Sequence, residues 1–490
     1  MGAAQTNTAI SEGKAYAKII TAFKKRKKGS TAADLVAATG LPLNTVKDLV
    51  PKAADEYRGR LEVTESGEIL YSFPQGFTSR YRGFGPSARK AFDSILKGSA
   101  AIGKFLFKIW IMIMLVGYFL LFIAIALASL FLTIAASSSR SSSSRGGSMR
   151  FSMSIFNLIM RLWLYSEFTK PMNPSSRSFR KSKSSRPLHQ SIFSFVFGDG
   201  DPNANQKEEE KKAFVSYLQE NRGVISLPEL MALNGLTSLE AEAEIIALCA
   251  EFGGMPEATP DATVVYRFDE ILLQSEKKQE RKDLFPLRFK NLLKFSTNPQ
   301  KLNWWFSIIN GVNLLFGTYF LYNAFSIGRL ITNTSSMIYQ IVYKFLSSYT
   351  DPLPIITVAL GVIPLAFSLL FWLIPLLRHF FIKGKNEKIK FENFRKFSFS
   401  KIWMMPLSIK KADLKPGYKE ADPKNLPESQ DKALKEMGTY TIPEVALDDH
   451  KNEVYSFAEL AREKDALTQY RSSINPEASS LGKTIFDSES

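Results

Sequence analysis

The sequence predicts a multi-domain membrane protein in which α-helical transmembrane segments join two small α+β modules made by internal duplication. Three observations predict it: long charge-free blocks, a gap-free self-similarity at an offset of 195 residues, and Lys and Arg crowded beside the blocks. The chain has 490 residues, with 63 Lys plus Arg against 47 Asp plus Glu, one Cys and three His. Its apolar residues gather in a few blocks, which excludes one large soluble enzyme domain. A single Cys excludes a disulfide framework and any Cys-based zinc site. His189, His379 and His450 lie far apart in sequence, which argues against a His-rich metal centre.

The first module spans residues 1–80 and a basic linker follows at 81–108. The block Ile109–Ala136 then runs for 28 residues without a charge. A helix needs about 20 residues to cross the hydrocarbon layer, so this is the first transmembrane helix. A Ser/Arg-rich linker (137–150) leads to Phe151–Glu167, where Arg161 interrupts an apolar run; it reads as an amphipathic or re-entrant helix. A second basic linker (168–206) ends in the FGDGDPN turn, and the second module follows at 207–275. After the basic juxtamembrane stretch 276–301 come the second and third spans, 302–328 and 352–377. The second opens on Trp304 and Trp305, an interfacial pair; the third holds Pro352, Pro354, Pro364 and Pro375. Residues 378–466 form a C-terminal region and 467–490 read as a disordered tail. Only Arg329 and Lys344 lie between the second and third spans, so the positive-inside rule puts the modules in the cytoplasm.

The duplication is read directly. A shift of 195 residues lays Asp34–Phe73 on Glu229–Phe268 without a gap: Gly40-Leu41 on Gly235-Leu236, Gly59 on Gly254, Tyr71 on Tyr266. The same shift lays the first apolar block on the second. NEVYSFAEL (Asn452–Leu460) echoes GEILYSFPQ and TVVYRFDEI, with a preceding strand around Thr441–Ala446. Each copy reads as a helix (Glu12–Lys27; Glu208–Asn221), a short helix ending at a glycine (Ala32–Thr39; Pro228–Asn234), a further helix (Asn44–Tyr57; Ser238–Phe252) and two strands. Gly40 and Gly235 sit where a helix end needs positive φ, with Asn44 and Ser238 as N-caps of the following helix. This order resembles a winged helix-turn-helix over about 60 residues per copy. The FGDGDPN string also resembles a segment of uncharacterised membrane proteins of bacteria and the plastid lineage.

A winged helix-turn-helix resemblance implies either nucleic-acid or protein recognition. In the first module Lys47, Lys52, Arg58 and Arg60 are available to phosphates, so nucleic acid is a possible partner there. The second module carries 5 basic against 13 acidic residues between Lys207 and Glu270, a net charge of −8. Glu240, Glu242, Glu244 and Glu251 lie on its would-be recognition helix and would repel phosphate. Opposite charge on the two modules would also let them dock on each other. The spacing Asp199, Asp201, Asn203, Glu210 resembles a calcium loop, but Ala204 replaces the turn glycine and Pro202 stiffens the loop; the segment reads as a helix-capping turn. Met1–Thr6 matches a loose myristoylation pattern that reads as chance. Cys249 reads as a small buried hydrophobe, and Asn310, Asn313 and Asn323 as glue between helices. No phosphate loop, zinc motif or nucleophile elbow is present, so neither a catalytic residue nor a cofactor is expected. The sequence thus reads as a non-catalytic integral membrane scaffold or adaptor, its partners being the lipid bilayer and a protein or a second copy. The runners-up are a membrane-tethered DNA-binding regulator using the first module, and a channel-like protein.

Overall fold

The computed structural model describes residues 12–26, 29–74, 76–77, 102–138, 186–275, 288–327, 337–475 and 480–488. The stretch 151–167, most of the Ser/Arg-rich linkers and Met1–Thr6 lie outside them. The chain divides into two units: Met1–Phe84, Asp201–Leu293 and Lys385–Ser490 in one, Gly85–Gly200 and Lys294–Gly384 in the other. The fold is mostly helical with three small sheets.

In the first unit, helices Glu12–Lys25, Ala32–Thr39 and Leu43–Tyr57 precede strands β1 (Arg60–Thr64) and β2 (Ile69–Ser72). Ile19, Phe23, Val46 and Val50 recur at helical spacing and are all buried. Thr31 caps the second helix through its Oγ1, which accepts from the Asp34 amide at 3.2 Å. The Asp34 carboxylate accepts back from the Thr31 amide at 3.0 Å. Gly40 closes that helix at φ +68°, and Gly235 closes its counterpart at the same angle.

The second module repeats the order with helices Gln206–Glu220, Leu227–Asn234 and Ser238–Phe252 around β3 (Val224–Ser226), β4 (Met255–Ala258) and β5 (Val264–Arg267). Two expected N-caps are displaced. The Val46 amide donates to the Pro42 carbonyl at 3.0 Å, so the third helix of the first module starts ahead of Asn44; proline already holds a helix-compatible φ. In the second module Thr237 forms a capping box with Glu240, and Ser238 is the first helical residue.

The C-terminal region builds a third assembly of the same kind. Strand β6 (Ile409–Lys410) is followed by the helix Leu426–Gly438, β7 (Glu444–Leu447) and β8 (Glu453–Ser456). Its sheet order β6-β8-β7 repeats β3-β5-β4, with the last strand central. In the first module the strand order is β2-β1-β9, and β2 meets one isolated bridge from Ser30 to Tyr71 on its other side. The NEVYSFAEL echo is therefore a central strand in the same topological position. Residues 467–490 are not a disordered tail where described: the helix Ala458–Ser473 passes through Leu467, and β9 (Thr484–Asp487) pairs with β1. Periodicity missed β9 because Ile485 and Phe486 are exposed and mark no core face.

The second unit holds the apolar helices. Ile102–Leu132 and Pro352–Met404 are long and apolar enough to cross a membrane. Gln300–Ile327, the expected second span, is a 28-residue helix but is not among those long and apolar enough to cross a membrane, and Met337–Leu346 follows it. Pro352–Met404 runs well past the expected end at Leu377. Its last part, from Lys385, belongs to the first unit. A charged helix can extend an apolar one without a break because backbone bonding ignores the change of side chain. A helix at Leu188–Phe197 lies inside what reads as a basic linker, so a helix does precede the FGDGDPN turn.

Gly235 supplies a test of this packing. A Cβ there would stand 2.7 Å from Lys396 Cβ and 2.9 Å from its Cα, at positive φ. At Gly67, φ +80°, a Cβ meets nothing within 4 Å. Gly67→Ala is expected to cost about 1 kcal/mol of backbone strain. Gly235→Ala adds steric overlap and is expected to cost about 3 kcal/mol or more. Urea unfolding of the full chain in detergent measures both.

Candidate interaction site

The first two modules share one core. Leu35, Val46 and Val50 from the first pack in one cluster with Phe214, Leu218, Phe252 and Ile271 from the second. At the edge of this contact Lys18 bonds Glu208, and Lys47 Nζ donates to Glu270 at 2.7 Å. The Ser275 amide donates to Asp34 at 3.1 Å and Arg26 pairs with it at 2.9 Å. Burial would raise the Asp34 carboxyl, but these bonds and that of Thr31 prevail and hold it below its ordinary value.

Most of the remaining candidate residues are also engaged. Lys52 pairs with Glu12 at 2.8 Å, and Arg60 Nε donates to Asp487 at 3.0 Å. Arg58 ends its helix at φ +54°. Among the acidic candidates, Glu240 accepts from Arg395 at 3.1 Å and Glu251 from Lys211 at 2.6 Å. Glu242 accepts from Ser238 at 3.4 Å. Burial pushes Glu244 up and Cys249 up. The four calcium-loop candidates have separate partners. Asp199 receives Arg186, Ser194 and Thr297 at 2.6–2.9 Å. Burial opposes this, yet the bonds bring its carboxyl down to about 2. Asp201 accepts from the Asn203 amide at 2.9 Å, Asn203 bonds Asn291, and Glu210 accepts from Gln206 at 2.9 Å. No group of three or more His, Cys, Asp or Glu among the described residues could hold a metal ion.

Sequence reasoning missed the most buried charge of the second module. Glu229, 1% exposed, receives Arg471 through both oxygens at 3.0 and 2.6 Å. Tyr217 donates to the same carboxylate. Arg471 also donates to the Val224 carbonyl at 2.5 Å, and Arg222 reaches the Arg471 carbonyl at 2.7 Å. Burial would lower the Arg471 guanidinium, but Glu229 outweighs it and lifts it above its ordinary value. A signal was present: the 195-residue shift lays Asp34 on Glu229, an acid at the same place in the second helix of each module.

Lys396 is a further buried charge. It is 5% exposed, donates to the Arg288 carbonyl at 2.9 Å, and burial draws it down to about 8. Beside it an extended segment is strapped by amides. Asn393, Asn386 and Asn203 each exchange two bonds of 2.8–2.9 Å with the backbone of Lys290, Leu293 and Asn291 respectively.

In the second unit side-chain amides serve the apolar helices. Asn313 Nδ2 donates to the Leu115 carbonyl at 2.8 Å and Asn310 Nδ2 to that of Ser368 at 3.0 Å. Asn323 bonds its own helix at Tyr319, and Tyr118 Oη donates to Ala359 at 2.9 Å. Leu115 and Ala359 both lie in π-helical stretches, Ile113–Gly117 and Ile355–Val362. Such stretches disturb the regular ladder, and here neighbouring side chains take up their carbonyls.

Compared with known proteins, the chain is 22% identical over 389 residues to an uncharacterised chloroplastic protein of Arabidopsis thaliana, covering 77% of this chain and 70% of that protein. No family model matches the chain, and no solved structure matches it.

Two outcomes test these charges. Arg471→Met leaves Glu229 buried without its cation and is expected to cost about 3–5 kcal/mol; Arg471→Met with Glu229→Met is expected to recover most of it. For Lys396, whose ordinary value is 10.5, the unfolded chain binds more protons than the folded one between about pH 8 and 10.5. Stability is therefore expected to rise with pH across that window, and Lys396→Met to flatten the rise. Urea titrations at stepped pH measure both.

Proposed function

We propose that the chain is a non-catalytic membrane scaffold or adaptor whose winged-helix-like modules bind protein, or one another, on the cytoplasmic face. The observation that carries this reading is the use made of the first module's cations. Lys47, Lys52 and Arg60, which a nucleic-acid reader would turn toward phosphates, are paired with Glu270, Glu12 and Asp487 of the same chain. The shared core of the first two modules supports it further, since a face packed into a neighbouring module is closed to a DNA groove. The repeated strand order supports reading the C-terminal region as a third winged-helix-like assembly. The helices long and apolar enough to cross a bilayer would anchor this body in a membrane. The relative's description as chloroplastic favours a membrane of that organelle or of its lineage.

The full chain in detergent, titrated with a labelled duplex at rising salt, tests this. Weak binding with no preference among sequences is expected. Tight binding that weakens steeply with salt, and falls with Lys47→Glu, would instead favour the DNA-binding regulator.

A further inference from the structure

In two of the three sheets of the first unit the first strand of the hairpin, β4 or β7, lies at an edge, whereas in the third sheet β1 lies between β2 and β9. An edge offers a row of unpaired amides and carbonyls to any extended chain. Among the described residues the outer edges of β4 and β7 pair with no strand, whereas β1 is covered by β9. The strands also differ in chemistry. Pro256 removes a donor from β4, Pro443 stands directly before β7, and neither strand carries a cation. In contrast, β1 reads Arg-Leu-Glu-Val-Thr, with no proline and with a guanidinium at its start.

The hold on β9 is local. Its register sets Glu62 against Asp487 and Val63 against Phe486. Leu61 and Ser488 exchange two bonds of 3.0 Å. The Glu65 amide donates to Lys483 at 2.9 Å, and Arg60 grips Asp487 with two nitrogens. The apolar pair stays outside: Ile485 is 66% and Phe486 58% exposed. Ladder bonds plus one charge pair, with no core beneath, are the means by which a sheet edge takes up a separate peptide. Nothing in them depends on which copy of the chain supplies the strand.

We propose that the outer edge of β1 is a docking site for an extended peptide, and that its second occupant is the Leu481–Ser488 segment of another copy of this chain. Strand exchange of this kind links identical chains at little cost, since each bond lost within a chain is remade between chains. Copies held in one membrane also meet at raised local concentration. The proposal deepens the scaffold reading and rests on it, naming a second copy as the partner.

Charge reversal tests it in the full chain. Asp487→Arg opens the edge and Arg60→Asp disables it. A fluorescent peptide of residues 480–490 is expected to bind the Asp487→Arg chain and to bind the Arg60→Asp chain at least about tenfold more weakly. Mixed in detergent under two affinity tags, the two variants are expected to co-purify, because each segment then meets an opposite charge only on the other chain. Neither variant should pair with itself. Peptide binding to neither variant overturns the docking site. Peptide binding without co-purification overturns the second copy and leaves a clasp within one chain. Either failure leaves the scaffold reading to the duplex titration, which does not depend on β9.

Discussion

A carboxylate almost wholly removed from water must be met by a cation, and in the first unit that demand ties distant parts of the chain together. Glu229 sits at the start of the second module's short helix, and its partner Arg471 comes from 242 residues away. The uncompensated burial of either charge would outweigh many apolar contacts. The helix Ala458–Ser473 is therefore held to the second module by a bidentate pair, and the Arg222 bonds to the carbonyls of Arg471 and Ile474 hold its end. The C-terminal assembly, packed around Phe394, Trp403, Met437 and Phe457, joins the same core as Met231 and Val265 of the second module. The three assemblies thus form one body through two cores, with this ion pair beside the second of them.

The first module meets the same need by shorter means. Asp34, in the position equivalent to Glu229, is met by Arg26 and by amides of Thr31 and Ser275. Asp413 in the C-terminal assembly repeats the motif at lower burial, accepting from the Lys410 amide at 2.9 Å. An acid at a helix start thus recurs in all three assemblies, each time with a different set of partners. The apolar helices follow a parallel rule with neutral groups. There amides and a tyrosine meet the carbonyls of Leu115, Ser368 and Ala359, because a hydrogen-bonded amide costs far less to bury than an ion.

The elements of both modules were legible because their signals are local. Positive φ at Gly40 and Gly235, apolar spacing in Glu12–Lys25, and the hairpin residues before Phe73 and Phe268 all act within a few positions. Even the third assembly left a trace in Asn452–Leu460, since a buried central strand constrains its own residues. By contrast β9 left none. An edge strand with exposed Ile485 and Phe486 is specified by the strand it pairs with, and its own pattern resembles that of a loop. The helix Leu188–Phe197 was hidden for a related reason, being flanked by charged, serine-rich sequence that dominates any window around it.

Composition and periodicity by themselves determined that this chain has long apolar helices, that a helix-and-hairpin order recurs along it, and that its second module carries 13 acidic against 5 basic residues. These follow from residue type and spacing along one element. Only the tertiary structure decided which charges are consumed: that Lys47 meets Glu270, that Arg60 meets Asp487, and that Arg471 meets Glu229. Partners separated by hundreds of residues leave no periodic mark, because a Coulombic pair depends on distance in space and on the loss of water around it, and a linear sequence records neither.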